Sequence, residues 1–517
     1  MTFESIFVLL SLLGMVIALI SDKMRPGMVL FSVVVLFLCA GILSPKEMLE
    51  GFSNKGMITV AMLFLVSEGI RQSGALGQVI KKLLPQGKTT VFKAQLRMLP
   101  SIAFISAFLN NTPVVVIFAP IIKRWADSVH LPATKFLIPL SYVTILGGIC
   151  TLIGTSTNLV VHGMILEAGY EGFTMFELGK VGIFIAIAGI IYIFLFSKKL
   201  LPDVRTDNTV PTEEIEDGEM MHRVEAVLGS RFPGINKTLS EFDFKRHYGA
   251  DVKEIKRSGQ RITGDLSQVV LRDGDTLVVM ADDSFVKTWG ESTVFVMLAN
   301  GQDTEPVPGK KTRWFALMLL ILMIVGATVG ERPVMQEWLP GVKLDMFFFV
   351  SITTIIMAWT KIFPARKYTK YISWDILITI ACAFAISKAM VNSGVADTVA
   401  HYIIAMSDQY GPHVLLAMLF IITNIFTELI TNNAAAALAF PLALSISAQL
   451  GVSPVPFFVV ICMAASASFS TPIGYQTNLI VQGIGNYKFT DFVRIGLPLN
   501  IITFIISVVL IPLIWPF

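Results

Sequence analysis

Apolar runs with at most two charged residues recur along the chain at 5–21, 26–44, 56–72, 181–197, 314–330, 344–360, 374–391 and 495–514. A helix rises 1.5 Å per residue and needs roughly 20 apolar residues to cross the hydrocarbon, so each run predicts a spanning helix. Three longer tracts break that template. Residues 98–122 are uncharged but carry Pro100, Pro113 and Pro120 around Asn110-Asn111-Thr112. Residues 136–166 lack Asp, Glu, Lys and Arg, yet are interrupted by Gly147-Gly148, Gly154 and Thr155-Ser156-Thr157-Asn158. From Leu429 to Tyr487 there are 59 residues without such a charge, again with polar islands inside.

The arms on either side of Asn111 are about a dozen residues each, too short to cross. The tract 98–122 therefore reads as a re-entrant helical hairpin, and 136–166 as a spanning helix unwound near 154–157. Irregular backbone at that depth survives only when buried in protein or lining a cavity. With 98–122 and 413–445 as hairpins, the chain makes ten crossings, and one side's connections carry 17 Lys/Arg against 6 on the other. The positive-inside rule puts the basic side, and with it the middle segment, in the cytoplasm, with both termini outside.

Composition agrees with this layout. Of 517 residues, 54% are hydrophobic and only 15% charged, with a mean hydropathy of +0.70. A water-facing surface needs roughly a quarter of residues charged, so the chain is a polytopic membrane protein. The net charge of +3 hides a split, because 203–308 holds 20 Asp/Glu against 12 Lys/Arg. That stretch alone has soluble composition. Residues 1–202 and 309–517 are then two membrane halves, each of five spans and a hairpin. Cys39, Cys150, Cys382 and Cys462 lie in apolar segments without CxxC spacing and read as core thiols. No basic n-region or small-residue cleavage site marks the start, so 5–21 reads as a retained span.

The halves repeat each other. Phe52-Ser53 through Thr59 aligns with Ile372-Ser373 through Thr379 at an offset of 320, as do Ser73-Gly74 and Ser393-Gly394. Asn111 and Pro120 match Asn432 and Pro441 at 321, and Gly154 through Leu159 matches Gly474 through Leu479 at 320. Five crossings is an odd number, so the second copy enters from the opposite face. The expected fold is all-α: an inverted-topology repeat with two re-entrant hairpins and two broken helices, plus a small α/β cytoplasmic domain. Such repeats place a transport site where the broken elements meet near the midplane.

The residue types suit a small anion with coupling cations. Half-helix N-termini offer N–H groups and positive partial charge to an anion. Unwound carbonyls and C-terminal ends offer oxygen to Na⁺, and the tip Asn, Thr and Ser side chains can serve either. A helix cap is the alternative reading of each tip Asn. Glu68 and Lys388 are repeat partners that read as structural or snorkelling charges, and His162 reads as a core histidine. Glu428 divides evenly between a transport role and an orienting one. No Ser/His/Asp set, Walker A or GxGxxG is present, so an enzyme is not expected.

These residues resemble the divalent anion/sodium symporter family, whose hairpin tips carry Ser-Asn-Thr. Asn110-Asn111-Thr112 and Thr431-Asn432-Asn433 occupy those places, and Thr427-Glu428-Leu429-Ile430 looks like the family's T-E-F-T. The unwound loops resemble GGICTLIGTSTN (147–158) and STPIGYQTN (470–478). The resemblance covers about four-fifths of the chain. It implies a homodimer in membrane lipid, with a static scaffold and a transport domain moving elevator-fashion. It implies one Na⁺ site at Ser106, Asn110, Asn111 and Gly154 and another at Thr427, Ile430, Asn432 and Gly474. The anion would touch Asn111, Thr112, Thr155, Thr431, Asn432 and Asn433. Asn110 replaces the family's Ser and Asn433 its second Thr. The Pro-Pro of dicarboxylate carriers gives way to Ser156-Thr157 and Gln476-Thr477. The added amides and hydroxyls favour sulfate over a dicarboxylate.

The middle segment is similar to the C-terminal module of potassium-conductance regulators. It reads as a strand at 222–229, a helix at 239–247, strands near 251–257, 268–271 and 276–281, and a turn at Asp273-Gly274-Asp275. The resemblance implies a regulatory domain that pairs or binds a small ligand or nucleotide; no nucleic-acid partner is expected. The functional expectation is a sodium-coupled symporter of a small divalent anion in a bacterial inner membrane. A gated anion channel and a non-transporting sensor are the competitors.

Overall fold

The computed structural model describes residues 2–21, 24–85, 87, 89–203, 213–216, 219–229, 232–257, 260–281, 285, 289, 294–299, 309–330, 332, 335, 343–407 and 411–517. Residues 204–212 and 300–308 at the edges of the middle segment and most of the connection at 331–345 lie outside them. Eight described helices are long and apolar enough to cross a membrane: Phe3–Ser21, the run Pro45–Gln72, Gly179–Leu200, Lys310–Gly330, Trp374–Asn392, Pro412–Leu429, Asn432–Leu450 and Phe489–Ile514. The chain is a multi-pass membrane protein.

Two expected spans are shorter than their apolar runs. Pro26–Cys39 and Met346–Trp359 are 14 residues each. Both stop at a left-handed residue, Gly41 at φ +73° and its repeat mate Lys361 at φ +58°. The arms of the broken tracts are conversely longer than a dozen residues. Val91–Ser106 and Asn111–Ser128 flank the first break with 16 and 18 residues, and Pro412–Leu429 and Asn432–Leu450 flank the second with 18 and 19. The first arm begins early because Thr90 caps it, its hydroxyl accepting from the Lys93 N–H at 3.4 Å. The other tracts are broken too, Leu137–Gly148 then Ser156–Glu167, and Val455–Ser466 then Gln476–Gly485; the first break lies at 149–155, earlier than the expected 154–157, because Ser156 and Thr157 already open the second helix.

The repeat governs the packing. Pro26–Cys39 lies against Trp374–Asn392, and their mates Met346–Trp359 and Lys55–Gln72 lie against each other. The first contact is pinned by the Gly27 N–H donating to Asp375 Oδ1 at 3.1 Å, the second by the Lys55–Asp345 ion pair. Lys55 and Asp375 are themselves repeat mates, so each seam is pinned from the same place on one of its two helices.

The middle segment forms an antiparallel six-stranded sheet in the order β1 (Glu213–Glu216), β2 (Glu219–Leu228), β5 (Thr276–Ala281), β3 (Asp251–Arg257), β4 (Gln260–Arg261), with β6 (Phe295–Ala299) also on β2. Strand periodicity of two gives the sheet two duties. Val224, Ala226 and Leu228 enter an aromatic core with Phe232, Phe242, Phe244 and Tyr248, whereas Val227 joins the core of the helical body. Two readings of this segment are corrected. The helix expected at 239–247 is split at Asp243, which takes φ +46°. Residues 268–271 form no strand; a 3₁₀ turn at Leu266–Gln268 leads to a lone bridge between Val270 and Thr238.

Candidate functional site

The breaks at 107–110 and 430–431 each place one buried Asn at the first position of a helix, and each Asn meets a hydroxyl five residues back. Ser106 Oγ lies 2.9 Å from the Asn111 amide and donates to the Thr144 carbonyl at 2.9 Å. Thr427 Oγ1 lies 2.8 Å from Asn432 Oδ1 and donates to the Ala465 carbonyl at 2.6 Å. All three positions correspond at an offset of 321. The unwound loops repeat as closely. The Gly154 and Gly474 N–H groups each donate to a Thr hydroxyl, Thr151 and Thr471, at 3.2 Å. Asn158 and Asn478 each donate from Nδ2 to the carbonyl of that same Thr, at 2.9 and 3.1 Å.

The Asn111 amide is held from both sides. Its Nδ2 donates to the Thr144 carbonyl at 3.0 Å and to that of Gly154 at 3.2 Å, and its Oδ1 accepts from Tyr475 Oη at 2.5 Å. A ring of carbonyl and hydroxyl oxygens thus surrounds one amide. Gly148 is required beside it, since a Cβ there would lie 2.5 Å from the Asn111 amide.

Between the tips, the loops of the two halves interlock. Thr112 Oγ1 donates to Gln476 Oε1 at 3.3 Å, and its mate Asn433 accepts from Ser156 and Thr157 at 3.3 Å. Thr155 Oγ1 lies 3.0 Å from Tyr475 Oη. Thus Ser106, Asn111, Gly154 and Thr155 come together, as do Thr427, Asn432 and Gly474, and Thr112 and Asn433 line the same junction. Thr431 and Asn110 stand apart. The Thr431 hydroxyl accepts from the Ala434 N–H at 3.4 Å as a helix cap, and Asn110 precedes its helix without a side-chain cap. Ile430 is buried at the end of its arm.

Sequence reasoning gave Gln476 a part in anion choice but missed Tyr475. The signal was present, because the offset of 320 makes Tyr475 the mate of Thr155, already assigned to the site. Glu428 takes the orienting role. Its carboxylate accepts from the Ser470 and Thr471 N–H groups at 2.8 Å each and from Asn500 Nδ2 at 2.7 Å. Glu68 pairs with Arg71 at 2.7 Å rather than with Lys388. His162 is a largely buried ring whose Nδ1 has no partner among the described residues.

A family profile described as citrate transporter matches residues 16–447 and 335–517. An uncharacterized transporter of Synechocystis is 28% identical, over 93% of this chain and 92% of its own length. The sodium/sulfate cotransporter 2 of Chlamydomonas reinhardtii is 30% identical over 55% of this chain and 32% of its own. A sodium-dependent dicarboxylate transporter of Staphylococcus saprophyticus is 19% identical over 91% and 78%. The chain belongs to the citrate transporter (CitMHS) family, and is a permease of the divalent anion/sodium symporter kind rather than an enzyme.

Proposed function

We propose that this chain is a sodium-coupled symporter that carries a small divalent anion, sulfate in preference to a dicarboxylate, by an elevator-type movement. The observation that carries the reading is the ring of polar groups at Ser106, Thr144, Gly154 and Asn111, matched by Thr427, Ala465 and Asn432 in the second half. Hard cations take oxygen donors, and the carbonyls and hydroxyls of both rings supply them. Na⁺ is assigned to these two places, with Asn110, Ile430 and Gly474 completing them. The anion is assigned to the junction of the half-helix N-termini, at Asn111, Thr112, Thr155, Thr431, Asn432 and Asn433. At least two Na⁺ would neutralise a divalent anion, so the loaded element crosses the bilayer without bare charge.

The names of the two relatives, sodium/sulfate and sodium-dependent dicarboxylate, support cation coupling and leave both anion classes in play. Sulfate is favoured because hydroxyls and amides at 156–157 and 476–477 crowd the junction. We assign the re-entrant elements to Val91–Ser128 and Pro412–Leu450, the scaffold to the packed helices at 26–72 and 346–392, and the working unit to a homodimer in lipid. The sheet unit is placed in the cytoplasm by the charge bias, as a regulatory domain open to a small ligand or nucleotide. Labelled sulfate should enter proteoliposomes only with an inward Na⁺ gradient. Equal uptake in K⁺ alone would overturn the coupling, and succinate outcompeting sulfate would transfer the reading to dicarboxylates.

A further inference from the structure

A cleft of about 630 Å³ opens between the short helix Ala75–Leu83 and the last turns of Asn111–Ser128. Lys81, Arg124, Ser128 and His130 line it together with Leu84 and Ile121, and no acid does so among the described residues. Its walls are tied to each other and to the next helix. Trp125 Nε1 donates to the Pro85 carbonyl at 2.8 Å, and Arg97 Nη2 to that of Lys82 at 3.5 Å. None of the roles assigned to the tips or to the sheet unit uses this cleft. A cation in the last turn of a helix ordinarily complements its dipole, so Lys81 alone decides nothing.

The second repeat holds the same place differently. At the offsets of 320 and 321, Gly77 is the mate of Asp397, Arg124 of Ser445 and Ser128 of Gln449. There the Asp397 carboxylate accepts from the Ser445 hydroxyl, and Gln449 Nε2 donates to the Asp397 carbonyl at 3.2 Å and to Ser445 Oγ at 3.1 Å. An acid on one wall thus binds the other wall directly. In the first repeat the acid is replaced by a glycine and its partner by an arginine. The wall that would receive a carboxylate has become cationic, and the carboxylate is missing. Gly77 lies one turn before Lys81 on the same face of its helix, and a Cβ on it would meet only Ile121 Cδ1, at 3.7 Å.

We infer that this cleft seats the phosphate of an anionic phospholipid headgroup, which takes the place that the Asp397 carboxylate fills in the second repeat. Ammonium and guanidinium groups bind phosphate through charge-assisted hydrogen bonds, and basic pockets between membrane helices on the cytoplasmic side suit anionic headgroups. The charge bias puts the connections 71–97 and 123–135 on that side. A lipid, and not free phosphate, is the occupant because the adjoining helix Val91–Ser106 exposes Phe92 and Leu96, an apolar flank for acyl chains. The headgroup joins Ala75–Leu83 to the arm that begins at Asn111, as Asp397 joins Val395–Ser407 to the arm that begins at Asn432. The site stands whichever anion the tips carry.

The test uses the full-length protein in detergent, in Na⁺-free choline buffer so that coupled binding at the tips does not contribute. Its melting temperature is followed as dioleoyl phosphatidylglycerol, dioleoyl phosphatidylcholine or inorganic phosphate is added, and retained lipids are counted by native mass spectrometry. Phosphatidylglycerol should raise the melting temperature by several degrees, and the other two should not. Lys81→Gln combined with Arg124→Gln should shift the phosphatidylglycerol response to about tenfold higher concentration. Gly77→Asp installs the acid of the second repeat. Without lipid it should melt no lower than the wild type, because its carboxylate meets Arg124, and it should lose the phosphatidylglycerol response. That pairing separates a filled site from a damaged fold. An equal response of the wild type to both lipids, or a wild-type phosphatidylglycerol response in Gly77→Asp, would overturn the site. A shift reproduced by inorganic phosphate alone would overturn the lipid as its occupant.

Discussion

The two unwound loops were built to one plan and have since diverged by a residue. Thr144 matches Ala465 at an offset of 321, but Gly148 matches Ser468 and Thr151 matches Thr471 at 320, so the second repeat is one residue shorter there. In the first repeat the helical pattern runs on past Gly148. The Ile149 N–H donates to the Ile145 carbonyl at 3.2 Å and the Cys150 N–H to that of Gly147 at 3.0 Å. In the second, the helix stops at Ser466, and the Ser470 and Thr471 N–H groups find no carbonyl partner. Buried N–H groups without acceptors are costly, and the Glu428 carboxylate takes both. Its repeat mate is Ala107, and in the first repeat Cys150, the mate of Ser470, gives its N–H to the Gly147 carbonyl instead. The acid of the second repeat thus accompanies a helix end that is shorter than its mate.

That comparison holds the ring geometry equal and the support unequal, and the largest test concerns the ring. Asn111→Ala and Asn432→Ala should each lower sulfate uptake about a hundredfold, since each removes a group facing charge at a buried tip. The losses should be alike. A large loss in one and wild-type uptake in the other would mean that the repeats share a shape and not a duty.

The next test separates the supports. Glu428→Gln keeps one acceptor but turns an amide N–H₂ toward a backbone N–H. It should cost about 1–3 kcal/mol, read as a melting temperature several degrees lower, and should weaken Na⁺ binding about tenfold. The same protein should keep its response to Asn111→Ala unchanged, because the first loop has no carboxylate to lose. Full stability in Glu428→Gln would remove the account of why the acid is there.

Much of this was legible in the sequence because the fold repeats. Ser106, Asn111 and Gly154 could be paired with Thr427, Asn432 and Gly474 by counting, and polar islands in uncharged tracts marked where helices break. Helix limits were harder to read. Lys93 and Arg97 sit inside the first arm, which a charge-free window cut off, and a left-handed Lys361 gave no glycine signal for the end of its helix. Glu428 could not be assigned without knowing that Val455–Ser466 stops early. Tyr475 could not be assigned without knowing that loops 320 residues apart in the chain meet face to face. Contacts between halves are set by tertiary packing, to which local pattern is blind.

The smallest expected effects concern a second pair of mates, Gly163 and Gly483, which the repeats have put to different uses. A Cβ on Gly163 would lie 2.6 Å from Asn54 Oδ1, whereas one on Gly483 would lie 2.7 Å from the Gly274 carbonyl oxygen of the sheet unit. The seat at Gly483 is shared by Thr276, whose hydroxyl donates to the Gly483 carbonyl at 3.0 Å, and is flanked by the Lys123–Glu225 pair at 3.1 Å. Gly163→Ala pushes on a side chain that caps a helix by accepting from the Gly56 N–H at 2.8 Å, so it should cost about 1 kcal/mol through that cap. Gly483→Ala pushes on backbone that belongs to another folding unit, so the unit should yield and the helices should not. Its melting temperature should stay near that of the wild type while deuterium uptake rises in 276–281, and sulfate uptake should change little, because the contact joins the sheet unit to the helices and lies away from the tips. If Gly483→Ala instead slowed transport as much as Glu428→Gln, the sheet unit would be part of the moving element, and the second repeat would differ from the first in what it drives as well as in how it is held.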